Sequence, residues 1–411
     1  MRRFIYLTFL LSISVMCRAQ QKQTIPGIEV LRASHFEILK GKNVGLITNP
    51  TGVDSKLKST VDILAEAKEV NLVALYGPEH GVRGNFSAGD KVESNIDSQT
   101  GIPVFSLYGK TRKPNAEMLK GIDVLVYDIQ DIGARSYTYI STMGLTMEAA
   151  AENNIEFVVL DRPNPLGGNR VEGALVEEGY FSFVSQFPIP YVYGLTPGEV
   201  SFYINEKGLL KDRRQCKLHV VKMKNWKRNM SFAETGLPWV PTSPHIPHGN
   251  SAYYYSATGI IGELDANSIG IGYTLPFEVF ATPWLDGEAF AKRMNAFGLD
   301  GVIFRPIHFK PYYMKKKGEE HSGVQIHITN YEVVNLTEIQ FRLIEAAHEL
   351  VPNQSTFTAN PGRFEMFDKV AGSNKIRETF MKRYKYNDIK EMWEKPAKKF
   401  KKNAGKYHIY R

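Results

Sequence analysis

Cysteine is almost missing from this chain of 411 residues, which carries only Cys17 and Cys216. A disulfide framework and a paired C-x-x-C zinc site are thereby excluded, and H-E-x-x-H is absent as well. Both phosphate-cradling fingerprints are missing: no G-x-G-x-x-G follows an early apolar run, and no G-x-x-x-x-G-K-[ST] occurs, so a dinucleotide is not the expected ligand. No G-x-S-x-G marks a serine nucleophile elbow. Past residue 16 no apolar run is long enough to cross a bilayer, and no repeat or low-complexity tract appears. What these absences leave is a globular chain held by core packing, which a length of this order supports. With domains of about 100 to 250 residues, two are expected.

The first residues read as an export signal. Arg2 and Arg3 precede an apolar run, Phe4 to Met16, too short to span a membrane, and Cys17-Arg-Ala19 offers small residues for cleavage. A signal peptide over residues 1–19 and export to the periplasm are expected. Cys17 offers the alternative of a lipid anchor, against which the large Met16 before it speaks. Removing the leader's three arginines lowers the formal charge from +8 to +5 and leaves Cys216 alone. The remaining basicity gathers in Lys395, Lys398, Lys399, Lys401, Lys402 and Lys406. Such a run suits a solvated helix end better than a polyanion site, and no nucleic-acid partner is expected.

Short apolar runs alternate with helical patterns through the first half, the rhythm of an α/β fold with a parallel sheet covered on both faces. Val44 to Thr48, Val70 to Tyr76, Val104 to Leu107, Val124 to Ile129 and Phe157 to Leu160 read as strands. Lys58 to Ala67, Ala116 to Lys120 and Tyr139 to Glu152 read as helices. A Rossmann-like, mostly parallel sheet domain over 20–245 is expected. Past about residue 215 the texture changes; the proline-dense Pro238-Trp-Val-Pro-Thr-Ser-Pro-His-Ile-Pro-His-Gly249 reads as an ordered connection, and a smaller α+β domain over 246–411 is expected. Its strands are Gly301 to His308 and Gly323 to Thr329, and its helices Leu336 to Leu350, Ile376 to Arg383 and Ile389 to Phe400.

Polar loops shaped by glycine and proline follow four of the five early strands. They are Thr48-Asn-Pro-Thr-Gly52, Gly77-Pro-Glu-His-Gly81, Asp128-Ile-Gln-Asp-Ile-Gly-Ala-Arg135 and Asp161-Arg-Pro-Asn-Pro-Leu-Gly-Gly168. Open α/β sheets bind ligands at the carboxyl ends of their strands, so these loops would gather Glu79, His80, Arg83, Asp128, Asp131, Arg135, Tyr137, Asp161, Arg162 and Asn164 around one crevice. Glu79 stands out. Gly77, Gly81 and Gly84 flank it, so the backbone can turn sharply there and bring a carboxylate close to a ligand.

With those residues in hand, the chain resembles the NamZ family of exo-β-N-acetylmuramidases. The matching blocks are GLITNPTGV at Gly45, GPEHGVRG at Gly77, YDIQDIGARSYTYI at Tyr127, DRPNPLGG at Asp161, VEG at Val171, PIPYVYGLTPGE at Pro188 and SGVQIHIT at Ser322. The resemblance implies a Rossmann-like part, an auxiliary part, and a cleft between them. It also implies release of N-acetylmuramic acid from the non-reducing ends of peptidoglycan fragments, without a cofactor or metal. Glu79 and Glu263 match the family's two glutamates. Two departures accompany the second: the family's usual glycine after it is Leu264, and its usual arginine is Ile271. The connection Thr242-Ser-Pro-His-Ile-Pro-His248 is altered as well. These departures motivate an alternative, a saccharide-binding protein of the same fold that has lost turnover or changed specificity.

Glycoside cleavage needs an acid for the departing oxygen and a second carboxylate facing the oxocarbenium-like centre. Glu79 and Glu263 are the expected pair, with Glu79 favoured as the acid because crowding by Asp128 would hold its proton on. Asp128 and Asp131 are candidates to orient the substrate's 2-acetamido group. Arg83, Arg135 and Arg162 are candidates for its lactyl carboxylate, since a guanidinium binds such an anion through two parallel bonds. Tyr137, Tyr139 and Trp239 could stack on a sugar face. His80 could bond Glu79 or a hydroxyl, and Asn164, stiffened between two prolines, could read a hydroxyl. A metal-dependent hydrolase using Glu79, His80, Asp128 and Asp161 would be the reading if a chelator removed activity.

Overall fold

The computed structural model describes residues 22–84, 95–313 and 316–411, so the expected leader and Cys17 lie outside the described residues. Seven strands form the larger sheet: β1 Asn43–Thr48, β2 Asn71–Gly77, β3 Asn95–Ile96, β4 Pro103–Ser106, β5 Val124–Asp128, β6 Glu156–Leu160 and β7 Lys217–Val221. Their order is β3-β4-β2-β1-β5-β6-β7, parallel throughout except for β3, which runs antiparallel to β4. From β1 the chain builds outward through β2 to β4, then returns to the other side of β1 with β5. The reversal of direction therefore falls between β1 and β5, where a doubly wound sheet opens its crevice.

The central strands are apolar on both faces because helices cover both. Val124 and Val126 of β5 pack with Val44, Leu46, Ile28, Leu31 and Leu64, under the helices Gly27–Ala33 and Thr60–Glu66. Leu125 and Tyr127, pointing the other way, pack with Met143, Met147, Val200 and Ile204 of the helices Tyr139–Glu152 and Pro197–Glu206. The second of these starts on a reciprocal cap: Thr196 accepts from the Glu199 N–H, Glu199 accepts from the Thr196 N–H, and Pro197 fills the first turn.

A smaller antiparallel sheet of β8 Val279–Thr282, β9 Val302–Phe309 and β10 His321–Ile328, in the order β8-β10-β9, carries the second unit. Helix Gly287–Asn295 packs on it, and helix Leu336–Leu350 lies against that helix and against helix Ser251–Gly262. The last helix, Tyr386–Ala404, straps the two units together. Trp393 is buried in the second core beside Phe341, while Phe400, Ala404 and Tyr407 enter the first. Beyond it, the Tyr410 hydroxyl donates to Asp161 at 2.6 Å. The terminal lysines take the solvent side, where Lys395 and Lys398 pair one turn back with Glu391 and Glu394.

Two of the differences from the sequence reading have a local physical cause. Ala116 to Lys120 is a run of turns rather than a helix, because the six residues between Pro114 and Gly121 give too little chain to offset nucleation. Helix Ser251–Gly262 was not expected. Ten of its residues are buried, so it presents no polar face and no helical period, and its small and aromatic side chains look like connection.

Candidate active site

Glu79 sits immediately beyond β2, in a turn closed by the Gly81 N–H donating to Pro78 O at 3.0 Å. His80 and Gly81 both adopt the left-handed conformation, at φ 73° and 76°, which lifts the half-buried Glu79 over the carboxyl edge of the sheet. The Tyr108 hydroxyl, from the loop after β4, donates to the Glu79 carboxylate. Burial and that bond together push the phenol up to about 12.

From Glu79 a wall of tyrosines leads across the crevice. The charge of Glu79 acts on the Tyr139 hydroxyl. The Tyr139 ring meets Tyr137 edge-on at 5.0 Å, and Tyr137 meets Tyr255 edge-on at 5.6 Å. The Tyr255 hydroxyl lies 3.0 Å from Ser136 Oγ, which in turn donates to the Tyr191 hydroxyl at 3.2 Å. The charge of Glu263 acts on these last two phenols. Ser136, Tyr137 and Tyr139 follow β5 at the reversal point of the sheet, whereas Tyr255 and Glu263 belong to helix Ser251–Gly262 and its end. The two glutamates thus border one tyrosine wall from opposite units. Burial raises the proton affinity of Glu263, and Arg363 pulls it back, donating from Nη2 to Glu263 Oε2 at 2.9 Å and from Nε to its backbone carbonyl at 2.8 Å.

The proline-dense connection forms the lip of this crevice. Tyr137 donates to Thr242 Oγ1 at 2.7 Å and Tyr139 to Thr242 O at 2.5 Å. His245 lies beside the buried His80 and stacks on Tyr313 at 6.1 Å; burial, then the His80 charge, lower its proton affinity. Trp239 points elsewhere, edge-on to Phe232 and donating to Ile246 O at 3.1 Å.

Several predicted residues lie behind the crevice rather than in it. Asp128 is fully buried and held by Arg162, with Nη2 to Oδ2 at 2.9 Å, and by Thr60 Oγ1 at 2.5 Å. Its charge is neutralised by Arg162, which removes the crowding that favoured Glu79 as the acid. Arg83 is clamped by Asp97 and Asp62, each at 2.9 Å. Arg135 is fully buried and donates to the carbonyls of Ala174, Ile189 and Val370, at 2.7, 2.6 and 2.7 Å. Asp161 accepts from Thr196 Oγ1 and the Gly198 N–H, both at 2.8 Å, and so anchors the start of helix Pro197–Glu206. Asn164 accepts from the Leu166 N–H at 2.9 Å and donates to Leu195 O at 3.0 Å; a Cβ on Gly133 would come within 2.4 Å of its oxygen. Among the described residues no three His, Cys, Asp or Glu side chains gather as a metal-ligating cluster.

Asp131 is 2% exposed, and accepts from the Tyr193 hydroxyl and from the Gly133 N–H at 2.8 Å. Burial outweighs these donors and pushes its carboxyl up to about 6. The folded chain therefore binds this proton more tightly than the unfolded one. The resulting stability, about 3 kcal/mol, is fully present below about pH 4 and is lost as pH rises through 6. Asp131→Asn should flatten the fall in thermal midpoint between pH 4 and 6 in scanning calorimetry. An unchanged slope would assign that fall to other groups.

Sequence reasoning missed Tyr108, Ser136, Tyr191, Tyr255 and Arg363 as site residues. Ser136 stands in the YDIQDIGARSYTYI block and Tyr191 in the PIPYVYG block, and Tyr255 ends the Tyr253-Tyr-Tyr255 run; Tyr108 and Arg363 carry no local signal. A cavity of about 1180 Å³ lies away from the glutamates, near the ends of β6 and β7, and is lined by Arg170, Glu172, Arg228, Glu234, Tyr253 and Tyr331 among others. Its polar groups serve the fold: Glu172 holds Arg170 and the Thr337 N–H, and Glu234 holds Ser231.

A Rossmann-ordered layer whose carboxyl-edge crevice is closed by an α+β unit, with an acid on each side, defines the class: a two-unit cleft enzyme of the glycoside hydrolase type. The chain belongs to the NamZ family of exo-β-N-acetylmuramidases, whose N-terminal model matches residues 44–250 and whose C-terminal model matches residues 253–410. It is 44% identical over 392 residues to the peptidoglycan β-N-acetylmuramidase NamZ of Bacillus subtilis (strain 168), covering 95% of this chain and 92% of that protein. Two crystal structures of Bacteroides fragilis proteins, described as members of a domain-of-unknown-function family, share its fold. One is 56% identical with a TM-score of 0.91 and the other 30% identical with a TM-score of 0.75; each comparison covers 95% of this chain and 99% of the other.

Proposed function

We propose that the chain hydrolyses the glycosidic bond of N-acetylmuramic acid at the non-reducing end of peptidoglycan fragments, with Glu79 and Glu263 as its two carboxylates. The observation that carries this reading is the single tyrosine wall bordered by both acids. Glu263 acts as proton donor, because burial favours its protonated form. Its proton passes to the glycosidic oxygen as the C1–O bond breaks. Glu79, already accepting from Tyr108, presents its carboxylate to the positive charge developing at C1, and a water oxygen finally bonds C1 while that water gives up one proton, which restores the acid. The half-buried Tyr137 ring, backed by the buried Tyr139, supplies an apolar face for the sugar, and His80 and His245 border it on the Glu79 side. Residues 1–19 direct export to the periplasm on this reading, so N-terminal sequencing of the exported protein should find Gln20 first; a lipid-modified Cys17 in that place would refute the cleavage site.

A chromogenic β-glycoside of N-acetylmuramic acid tests the activity. Release of the chromophore by the full chain, undiminished by a chelator, is expected. Saturable binding without release would replace the hydrolase by a catalytically silent saccharide-binding protein, and loss with a chelator would reinstate a metal-dependent reaction.

A further inference from the structure

The three arginines that the sequence offers for an anionic substrate group are committed elsewhere: Arg83 to two aspartates, Arg162 to Asp128, and Arg135 to backbone carbonyls. The exposed Arg112, whose charge acts on Tyr108, lies over the Phe183 ring at 4.3 Å. Arg363 is placed differently. Nε and Nη2 hold the Glu263 carbonyl and carboxylate, the side chain is 39% exposed, and among the described residues Nη1 makes no hydrogen bond. One edge of a planar fork thus fixes an acid of the crevice while the other stays open to a ligand.

We propose that Arg363 is the subsite for the substrate's carboxylate, reading the lactyl group of a muramic acid ring from its Nη1 edge while its opposite edge holds Glu263. This deepens the function proposed above and rests on it. The lactyl ether leaves the ring at C3, two ring atoms from the anomeric carbon, so an anion receptor for that group belongs a few ångströms from the proton donor. A guanidinium one hydrogen bond from Glu263 meets that requirement. The arrangement also couples recognition to chemistry. A substrate carboxylate on Nη1 adds negative charge beside Glu263 and shares the cation that favours its ionised form, so the proton needed for cleavage is better held when the correct sugar is bound. A glucosamine ring, lacking the lactyl group, brings no such charge.

Titration calorimetry of the full chain with free N-acetylmuramic acid and with its neutral lactyl amide tests this. The wild-type protein should bind the acid at least about tenfold more tightly than the amide. Arg363→Gln should bind the two alike, at the amide's affinity, and Arg363→Lys should recover part of the preference as a point charge without the fork. A preference for the acid that survives in Arg363→Gln, or its absence from the wild-type protein, would overturn the proposal. Failure of the wild-type protein to release muramic acid from a glycoside is a separate outcome and would overturn the hydrolase reading instead. The thermal midpoint of each variant checks that the half-exposed replacement leaves the fold intact.

Discussion

Glu79→Gln and Glu263→Gln should each lower the release of muramic acid by about a thousandfold or more while leaving the fold unchanged, the range expected when an essential acid or base is removed. Glutamine keeps the shape and one acceptor oxygen, so the Tyr108 donation to position 79 and the Arg363 donation to the carbonyl at 263 remain available. What disappears is a transferable proton at one position and a full negative charge at the other. Combining the changes should cost little more than either alone, because the acids act on one bond in one step. Kinetics on the chromogenic muramic glycoside, with thermal midpoints measured alongside, decide the matter. If either variant turns over at the wild-type rate, that glutamate is not one of the pair.

Arg135→Met should destabilise the chain by about 4 kcal/mol, because three buried carbonyls lose their donor and each unsatisfied buried group costs about 1 to 3 kcal/mol. The carbonyls belong to Ala174, Ile189 and Val370, and the last of these lies in helix Phe364–Ala371 of the second unit. The guanidinium therefore ties the units together from beneath the crevice, close behind Ser136 and Tyr137. Urea unfolding should show the loss, and Arg135→Lys should recover only part of it, since an ammonium cannot span the fork's contacts. A cost below about 1 kcal/mol would mean that water or neighbouring groups replace those bonds.

The contrast between Glu79 and Arg135 shows where local signals carry information. Glu79 lies in a glycine-flanked turn after an apolar run, and such a turn at a strand's carboxyl end presents its side chain to the crevice whatever the rest of the chain does. Arg135 lies in an equally polar strand-end loop, yet it points inward. Its partners come from Ala174, Ile189 and Val370, and nothing near position 135 announces carbonyls so distant in the chain. Arg83 and Arg162 follow the same logic, since a guanidinium bonds whichever acceptors the fold brings to it. Helix Ser251–Gly262 was hidden for another reason: a helix buried all round has no amphipathic period to read, and it is this helix that delivers Tyr255 and ends at Glu263.

By itself the sequence determined the parallel layer, the polar loops at its carboxyl edge and the acid in the turn after β2, because apolar alternation, glycine and proline act over a few residues and need no distant partner. Only the tertiary structure decided that Glu263 meets the same tyrosine wall as Glu79, that Arg363 rather than a loop arginine stands beside it, and that Asp128 is neutralised behind the crevice. Those outcomes depend on burial and on which remote elements pack together, and electrostatic partnership is set by that packing rather than by neighbours in the chain.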